Sequence, residues 1–523
     1  MPTARATRRL TAWHAAAIYT AAAVAWTWPL PRVMSEAIAS DLGDPAFVAW
    51  VMGWVNDSVL ALARGDGARF LAMWDAPIFY PAPLALAFSE HFIPQALLVL
   101  PLHAATGNIV LCYNVALLAT FVLSGVGMFL LARELTGNTA AALLAGAAFA
   151  FTPYRVDQLS HMQILSSQWM PLALYGLRRY FTTGGARPLV WATLALVALN
   201  LSTGYYLFFF MPFVVAYVLG EMWARGRLAD ARTWRDVSAA GAGTLLLTMP
   251  FLLPYLAVRL DVVGQRPYDE IVTFSADVLA YVTASEFVAV WGSTLTAMRG
   301  TAENATFPGL TVALFAAAAL VRAGLQAGAR WRQAVDRSWR DGAGLVFIGF
   351  GLVLTAVAVW IAATGGRIVD MPGVEVRLRN FPRVTLYAAA SCVLALALSR
   401  RLRHALTGAR GALAGPALVA AFAAFALSLG PRMEWMDRFF AHGPYAVLLK
   451  FVPGFDGLRV PSRFAMIVVL WLAVAAAYAA AALARRGRWG TIAVLAAAVV
   501  AVAESRPVRF EVDQPISVAK DHA

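Results

Sequence analysis

Long apolar runs separated by short polar breaks constrain the fold of this chain more than any other feature. Of its 523 residues, 60% are hydrophobic and only 14% are charged, and the mean hydropathy is +0.66. A helix needs about 20 apolar residues to cross a bilayer, where every backbone polar group must be satisfied within the segment. The runs therefore predict an all-α polytopic membrane protein and exclude a soluble enzyme domain.

Basic residues occur in clusters between these runs. The chain carries 42 Lys and Arg against 29 Asp and Glu, which gives a formal net charge of +13. Such clusters mark the cytoplasmic ends of membrane helices and do not indicate a nucleic-acid surface. Arg5, Arg8 and Arg9 thus predict a cytoplasmic N-terminus and a retained signal anchor. The first long loop is expected on the outer face of a cell inner membrane.

The pattern predicts about 13 membrane spans. Their approximate bounds are 12–30, 109–132, 138–152, 164–178, 188–201, 205–222, 238–256, 306–325, 343–364, 384–399, 411–429, 464–483 and 489–504. The run 92–106 is short and carries Pro94 and Pro101, so we expect it to lie at the surface or to re-enter rather than cross. We divide the chain into a catalytic membrane module, 1–260, and a second membrane module with external loops, 261–523.

The first external loop, residues 31–108, is acidic in a basic protein. It holds three basic and seven acidic residues, namely Arg32, Arg64 and Arg69 against Glu36, Asp41, Asp44, Asp57, Asp66, Asp75 and Glu90. Aromatic residues such as Trp50 and Trp54 lie between them, among short apolar pieces. That composition is typical of interfacial helices at headgroup depth.

Further charged residues fall in the other predicted external segments. The turn 152–163 contains Arg155, Asp157 and His161, which are costly near hydrocarbon unless they are paired or functional. Among the later external breaks, Arg383, Arg459 and Arg463 run against the positive-inside bias. Arginines at external helix ends suit a phosphate headgroup. Snorkelling is the favoured explanation for any single one of them, whereas for Arg459 and Arg463 taken together the two explanations are equal.

These elements together resemble the C-type (GT-C) glycosyltransferases, and most closely the branch that includes the aminoarabinose and protein mannosyl transferases. In that branch an acidic motif follows the first helix, where this chain has Asp41 and Asp44, and interfacial helices come next. A later Glu-Lys or Glu-His motif stands before prolines, as Glu90 and His91 do here. An external Asp near the third or fourth helix matches Asp157. The likeness covers about the first 180 residues.

The resemblance implies a GT-C-like fold and transfer of a sugar from a polyprenyl-phosphate donor to a glycan, lipid or protein acceptor on the outer face. Asp44 would be the catalytic base, and the other acidic candidates are Asp41, Glu90 and Asp157. The phosphate and the substrates would be bound by His91, Arg155, His161, Arg383, Arg459 and Arg463. No cofactor is implied, while a divalent metal held by Glu90, His91, Asp157 and His161 is the less favoured alternative.

Each of these residues also has a structural interpretation. Asp44 before Pro45 suits a helix N-cap, Glu90 and His91 suit a capping pair, and Arg155 with Asp157 suits a local ion pair. At the level of function, the alternatives are a transporter or flippase for a lipid-linked or anionic substrate, and a non-catalytic subunit of an envelope-polymer assembly. A transporter is disfavoured because the charged residues lie in loops and not at the bilayer midplane.

Overall fold

The computed structural model describes residues 10–298, 303–333, 339–364, 367–371, 374–378, 414–436 and 438–514, with isolated positions between 384 and 399. It is mostly helical, as predicted. The longer helices are Ala12–Trp26, Asp44–Ala63, Ile93–Thr106, Ile109–Thr136, Thr139–Ala150, Trp169–Thr183, Ala186–Ser202, Gly204–Ala224, Ala231–Val258, Leu310–Gln333, Trp339–Thr364, Ala414–Ser428, Ala465–Ala484 and Arg488–Glu504. Shorter helices are Gly67–Leu71, Tyr154–Asp157, Met162–Leu165, Tyr268–Thr273 and Tyr445–Phe451.

Several of these helices are able to cross a membrane. Within the described residues, six are long and apolar enough by length and composition. They are Asp44–Ala63, Ile109–Thr136, Gly204–Ala224, Ala231–Asp261, Trp339–Val357 and Pro461–Ala484. Every span predicted from the sequence overlaps a helix, except 384–399, which lies largely outside the described residues. The protein is therefore a helical membrane protein, and the number of 13 spans stays a prediction.

The core is organised around the alanine-rich helix Ala465–Ala484, most of whose residues are buried. This helix packs against Thr139–Ala150, Leu310–Gln333 and Ala414–Ser428. Small side chains let helix backbones approach closely, which is how membrane helices gain packing energy without a hydrophobic driving force. One apolar core extends from Ala15 to Phe510. The division of the chain after residue 260 stays a prediction.

The helix ends that carry basic residues meet at one end of the bundle. Arg133 donates to the carbonyl of Leu10 at 2.5 Å, and Arg485 donates to the carbonyl of Thr136 at 2.7 Å. The start of the first helix therefore lies beside the ends of Ile109–Thr136 and Ala465–Ala484. This grouping is the one that an alternating topology with basic clusters on one side requires.

The helix Asp44–Ala63 was expected to be interfacial, although it is also long enough to cross. A Cβ added at Gly53, in its middle, would lie 2.7 Å from Cγ2 of Ile109, the first residue of the helix Ile109–Thr136. The middle of the helix Asp44–Ala63 therefore packs closely against the start of the helix Ile109–Thr136.

The segment after the last helix ties two external loops together. Its strand Val512–Asp513 pairs antiparallel with Ile38–Ala39 in the first loop. Just before that strand, Val508 donates its amide to the carbonyl of Phe287 at 2.7 Å. No pattern in the sequence predicts this connection. The other described strands form hairpins in predicted external breaks, Arg367–Met371 with Val374–Leu378 and Arg432–Trp435 with Arg438–His442.

Candidate active site

A buried ion pair joins Arg463 to Glu303. Arg463, in the short helix Pro461–Phe464, has a side chain that is only 4% exposed. Its Nη2 lies 2.8 Å from Oε1 of Glu303 and its Nε lies 3.3 Å from Oε2, so the pair is bidentate. The guanidinium carbon also lies 4.6 Å from the centre of the Tyr205 ring. These contacts fasten the loop that contains Glu303 to the start of the helix Ala465–Ala484.

Glu303 is a site residue that sequence reasoning missed. Its φ of 54° places it in the left-handed region, which costs energy for any residue other than glycine. Its carboxylate also accepts a hydrogen bond from the hydroxyl of Ser462 at 3.4 Å. Its arginine partner is 160 residues away, so no local spacing reveals the pair. The sequence offered only an indirect signal for Glu303. An arginine in a predicted external segment needs an acidic partner if it is buried, so Arg463 implied a carboxylate somewhere in the chain.

Asp44 carries an exposed carboxylate at the start of a helix. It is the first residue of the helix Asp44–Ala63, but the N-cap is Gly43 and no side chain caps this terminus. The capping interpretation of Asp44 is therefore wrong. Its side chain is 58% exposed, and Oδ2 lies 3.8 Å from Nε2 of His161.

His161 faces Asp44 from the second external turn. Burial lowers the pKa of His161, and the positive charge of Arg463 lowers it further, while the neighbouring carboxylates oppose this. The imidazole is therefore mostly neutral at pH 7. Its Nδ1 has no hydrogen-bond partner within the described part of the chain. The structure thus brings two predicted site residues together across 117 residues of sequence, from Asp44 to His161.

Asp41 fastens the first external loop to the second. Its Oδ1 accepts the amide hydrogen of Gly43 at 2.7 Å, and its Oδ2 accepts a hydrogen bond from the hydroxyl of Ser160. The hydroxyls of Ser40 and Ser160 also lie 2.9 Å apart. With both oxygens engaged in this way, Asp41 is placed to position Asp44 and His161 rather than to react.

Glu90 approaches the buried ion pair from the other side. The hydroxyl of Thr203 donates to its Oε1 at 3.5 Å. Burial raises the pKa of Glu90, and the charge of Arg463 counteracts that effect. The arrangement places a carboxyl group with a raised pKa between the first loop and the helix Gly204–Ala224, close to the same guanidinium.

His91 was predicted to hold a phosphate, and the structure corrects this. Its Nδ1 accepts the amide hydrogen of Ile93 at 3.1 Å. Its ring packs against Trp74, Phe251 and Tyr255 at centroid distances of 5.7, 5.9 and 6.0 Å. Burial in this aromatic cage lowers the pKa of His91 to about 3. The imidazole is therefore neutral at pH 7 and provides no positive charge for a phosphate.

This shifted pKa predicts an acid-dependent stability. The unfolded chain binds a proton on His91 below about pH 6.5, whereas the folded protein does not until about pH 3. Stability contributed by the neutral ring is thus lost as the pH falls through that window. We expect His91→Asn, which keeps an acceptor for Ile93, to reduce the acid dependence of thermal unfolding in detergent. His442→Asn, at an exposed histidine, is the control, and identical acid profiles for wild type and His91→Asn would contradict the assignment.

The prediction that Arg155 binds a phosphate is also wrong, because its side chain turns into the core and is only 1% exposed. Its guanidinium donates to the hydroxyls of Ser124 and Thr120 at 3.0 and 2.9 Å, and to the carbonyl of Leu165 at 2.7 Å. It also lies 4.5 Å from the Phe121 ring centre. The residue fixes the second external turn onto the helix Ile109–Thr136 and does not reach a phosphate.

The remaining predicted site residues are Asp157, Arg459 and Arg383. Asp157 is hydrogen-bonded to Ser285, and its pKa is raised mainly by burial, with further contributions from nearby carboxylates including Glu303. Arg459 is half exposed and lies 3.3 Å from Glu270. Arg383 falls outside the described residues. Among the residues that the structure describes, no group of three or more His, Cys, Asp or Glu is placed to hold a metal ion.

With this geometry established, comparison with known sequences gives a family. Residues 66–381 match a family described as a domain of unknown function, DUF6311. The chain belongs to the DUF6311 family. A search of curated proteins finds no match.

The DUF6311 region contains part of the site. Glu90, His161 and Glu303 lie within the matched residues, whereas Asp44 and Arg463 lie before and after them. The site of this DUF6311 protein is therefore assembled from three separate parts of the chain. An exposed carboxylate beside a neutral imidazole can accept a proton, and the buried arginine beside them supplies fixed positive charge.

Proposed function

We propose that this DUF6311 protein is an integral-membrane glycosyltransferase. It transfers a sugar from a polyprenyl-phosphate-linked donor to an acceptor on the outer face of the inner membrane. The observation that carries the proposal is the position of Asp44, an exposed carboxylate that caps no helix and faces neutral His161 at 3.8 Å. The resemblance to GT-C glycosyltransferases implies a catalytic base at this position of the chain.

In the proposed reaction Asp44 accepts the proton of an acceptor hydroxyl as its oxygen attacks the anomeric carbon of the donor sugar. The bond between that carbon and the phosphate oxygen breaks, and the electron pair leaves with the phosphate. His161 orients the carboxylate of Asp44. Arg459, with a side chain 44% exposed, is more accessible to the phosphate than Arg463, which acts through its fixed charge.

The donor's lipid tail has an apolar surface beside the site. The helix Ala231–Val258 exposes Leu246 and Leu253, which are 72% and 55% accessible. The same helix contacts the first loop, because the hydroxyl of Tyr255 donates to the carbonyl of Ser89 at 2.8 Å. A polyprenyl chain lying along this helix in the bilayer would therefore bring its phosphate close to Glu90.

The proposal is tested with membranes that contain the overexpressed full-length protein. Polyprenyl-phosphate donors carrying radiolabelled hexoses or pentoses are added, and labelled glycan, lipid and protein fractions are separated. We expect one donor to give a labelled product that is absent from membranes of the vector control. If no donor gives product while the purified protein carries labelled donor across proteoliposome membranes, the flippase alternative replaces this proposal.

A further inference from the structure

One face of the helix Asp44–Ala63, continued by its C-cap residue Arg64, carries a stripe of side chains that are aromatic or charged except at Ala61. The members recur at spacings of three or four residues, which places them along one side of a helix. They are Asp44, Phe47, Trp50, Trp54, Asp57, Ala61 and Arg64. We call this set the acceptor stripe. It begins at the proposed catalytic carboxylate and ends at a polar cavity.

The middle of the acceptor stripe is a row of nearly parallel rings. Phe47 and Trp50 have centroids 6.4 Å apart with an interplanar angle of 19°, and Trp50 and Trp54 are 6.0 Å apart with an angle of 11°. The Nε1 of Trp54 donates to the carbonyl of Met73 at 2.9 Å, which fixes its ring. All three rings are partly exposed. Their partly exposed edges and faces together form an apolar surface against which the C–H bonds of a pyranose can pack.

The far end of the acceptor stripe forms a cavity of about 260 Å³. It is lined by Asp57, Ala61, Arg64, Asp66 and Arg69. The guanidinium carbon of Arg69 lies 5.3 Å from the Trp54 ring centre, and Nε2 of His103 lies 2.9 Å from Asp57. Two carboxylates balance two guanidiniums, so the cavity has many donors and acceptors but no net charge from these four groups. That chemistry suits neutral hydroxyl groups better than a phosphate or a cation.

We infer that the acceptor is a neutral oligosaccharide whose far end binds in this cavity and whose reacting end reaches Asp44 along the aromatic rings. This inference rests on the proposed glycosyltransferase function and specifies its acceptor. The 13 residues from Asp44 to Asp57 correspond to about 20 Å of helix, which is the length of about four linked pyranose rings. The acceptor is therefore an extended glycan and not a protein side chain or a single sugar.

The first test measures binding and needs no donor. Purified full-length protein in detergent is titrated with linear neutral gluco-oligosaccharides and chito-oligosaccharides of one to six units by calorimetry. We expect affinity to rise about tenfold or more between two and four units and then to level off. Trp54→Leu and Asp57→Asn should each weaken tetrasaccharide binding about tenfold. Trp489→Leu, at a tryptophan 70% exposed on another helix, is the matched control.

The second test addresses the competing possibility that these rings lie among lipid headgroups. The fluorescence of wild type and of a Trp50→Phe/Trp54→Phe variant is compared in nanodiscs with ordinary or brominated phospholipids. We expect the emission contributed by these two residues to resist quenching by the brominated lipid. Strong quenching of that contribution would make the stripe a membrane anchor and overturn the inference.

The two proposals fail in different ways. Sugar transfer that persists in Trp54→Leu, together with no binding of any neutral oligosaccharide, would overturn the acceptor stripe and leave the glycosyltransferase proposal intact. Chain-length-dependent binding without transfer from any donor would support a glycan-binding stripe and contradict the transferase. Equal affinity for all chain lengths would also overturn the inference, because a continuous stripe requires longer chains to bind more tightly.

Discussion

Membranes that carry Asp44→Asn are expected to lose sugar transfer by about 100-fold to 10,000-fold, the range contributed by a positioned general base. The amide has nearly the size of the carboxylate but cannot accept the proton of the acceptor hydroxyl. Because no side-chain hydrogen bond caps the helix at Gly43, and the Asp44 side chain is 58% exposed, folding should be retained. Transfer from the radiolabelled donor and detergent size-exclusion chromatography measure the two properties separately.

The matched control is Asp269→Asn, which removes an exposed carboxylate from another external segment. It should transfer sugar at the wild-type rate. Asp44→Glu, which keeps a carboxylate on a longer side chain, should recover part of the lost activity. Wild-type transfer by a well-folded Asp44→Asn protein would remove Asp44 from catalysis, and loss of folding in that variant would show that the carboxylate has a structural role instead.

The helices were predictable because the bilayer allows few alternatives for a long apolar run. The helix bounds therefore follow the runs closely, as in Gly204–Ala224 against a predicted 205–222. The placement of Asp44–Ala63 was harder to predict, because its composition alone suits both a membrane span and an interfacial helix. Its tertiary contacts, such as the close approach of Gly53 to Ile109 and of Asp57 to His103, do not follow from that composition.

The site was predictable in part for a different reason. Alternating topology assigns Asp44, His161 and Arg463 to one face, and the structure does bring them to one end of the bundle. Topology says nothing about whether a side chain turns outward or into the core. Arg155 and His91 were therefore predicted to bind the phosphate because they can carry charge. In the structure Arg155 is buried among hydroxyl groups and His91 among aromatic rings.

Replacing Arg463 with leucine should destabilise the protein strongly. The variant leaves Glu303 buried without its bidentate partner, and breaking a buried ion pair in this way costs about 3–5 kcal/mol. Arg459→Leu is the control, because its partly exposed pair with Glu270 contributes about 1 kcal/mol or less. Thermal unfolding in detergent measures both variants against wild type.

Adding Glu303→Gln to Arg463→Leu tests the cause of the loss. The double variant removes the carboxylate that is left without its bidentate partner, so it should restore much of the stability. A loss of stability that Glu303→Gln leaves unchanged would come from lost packing of the arginine side chain, and Glu303 would then have no part in holding its loop to the start of the helix Ala465–Ala484.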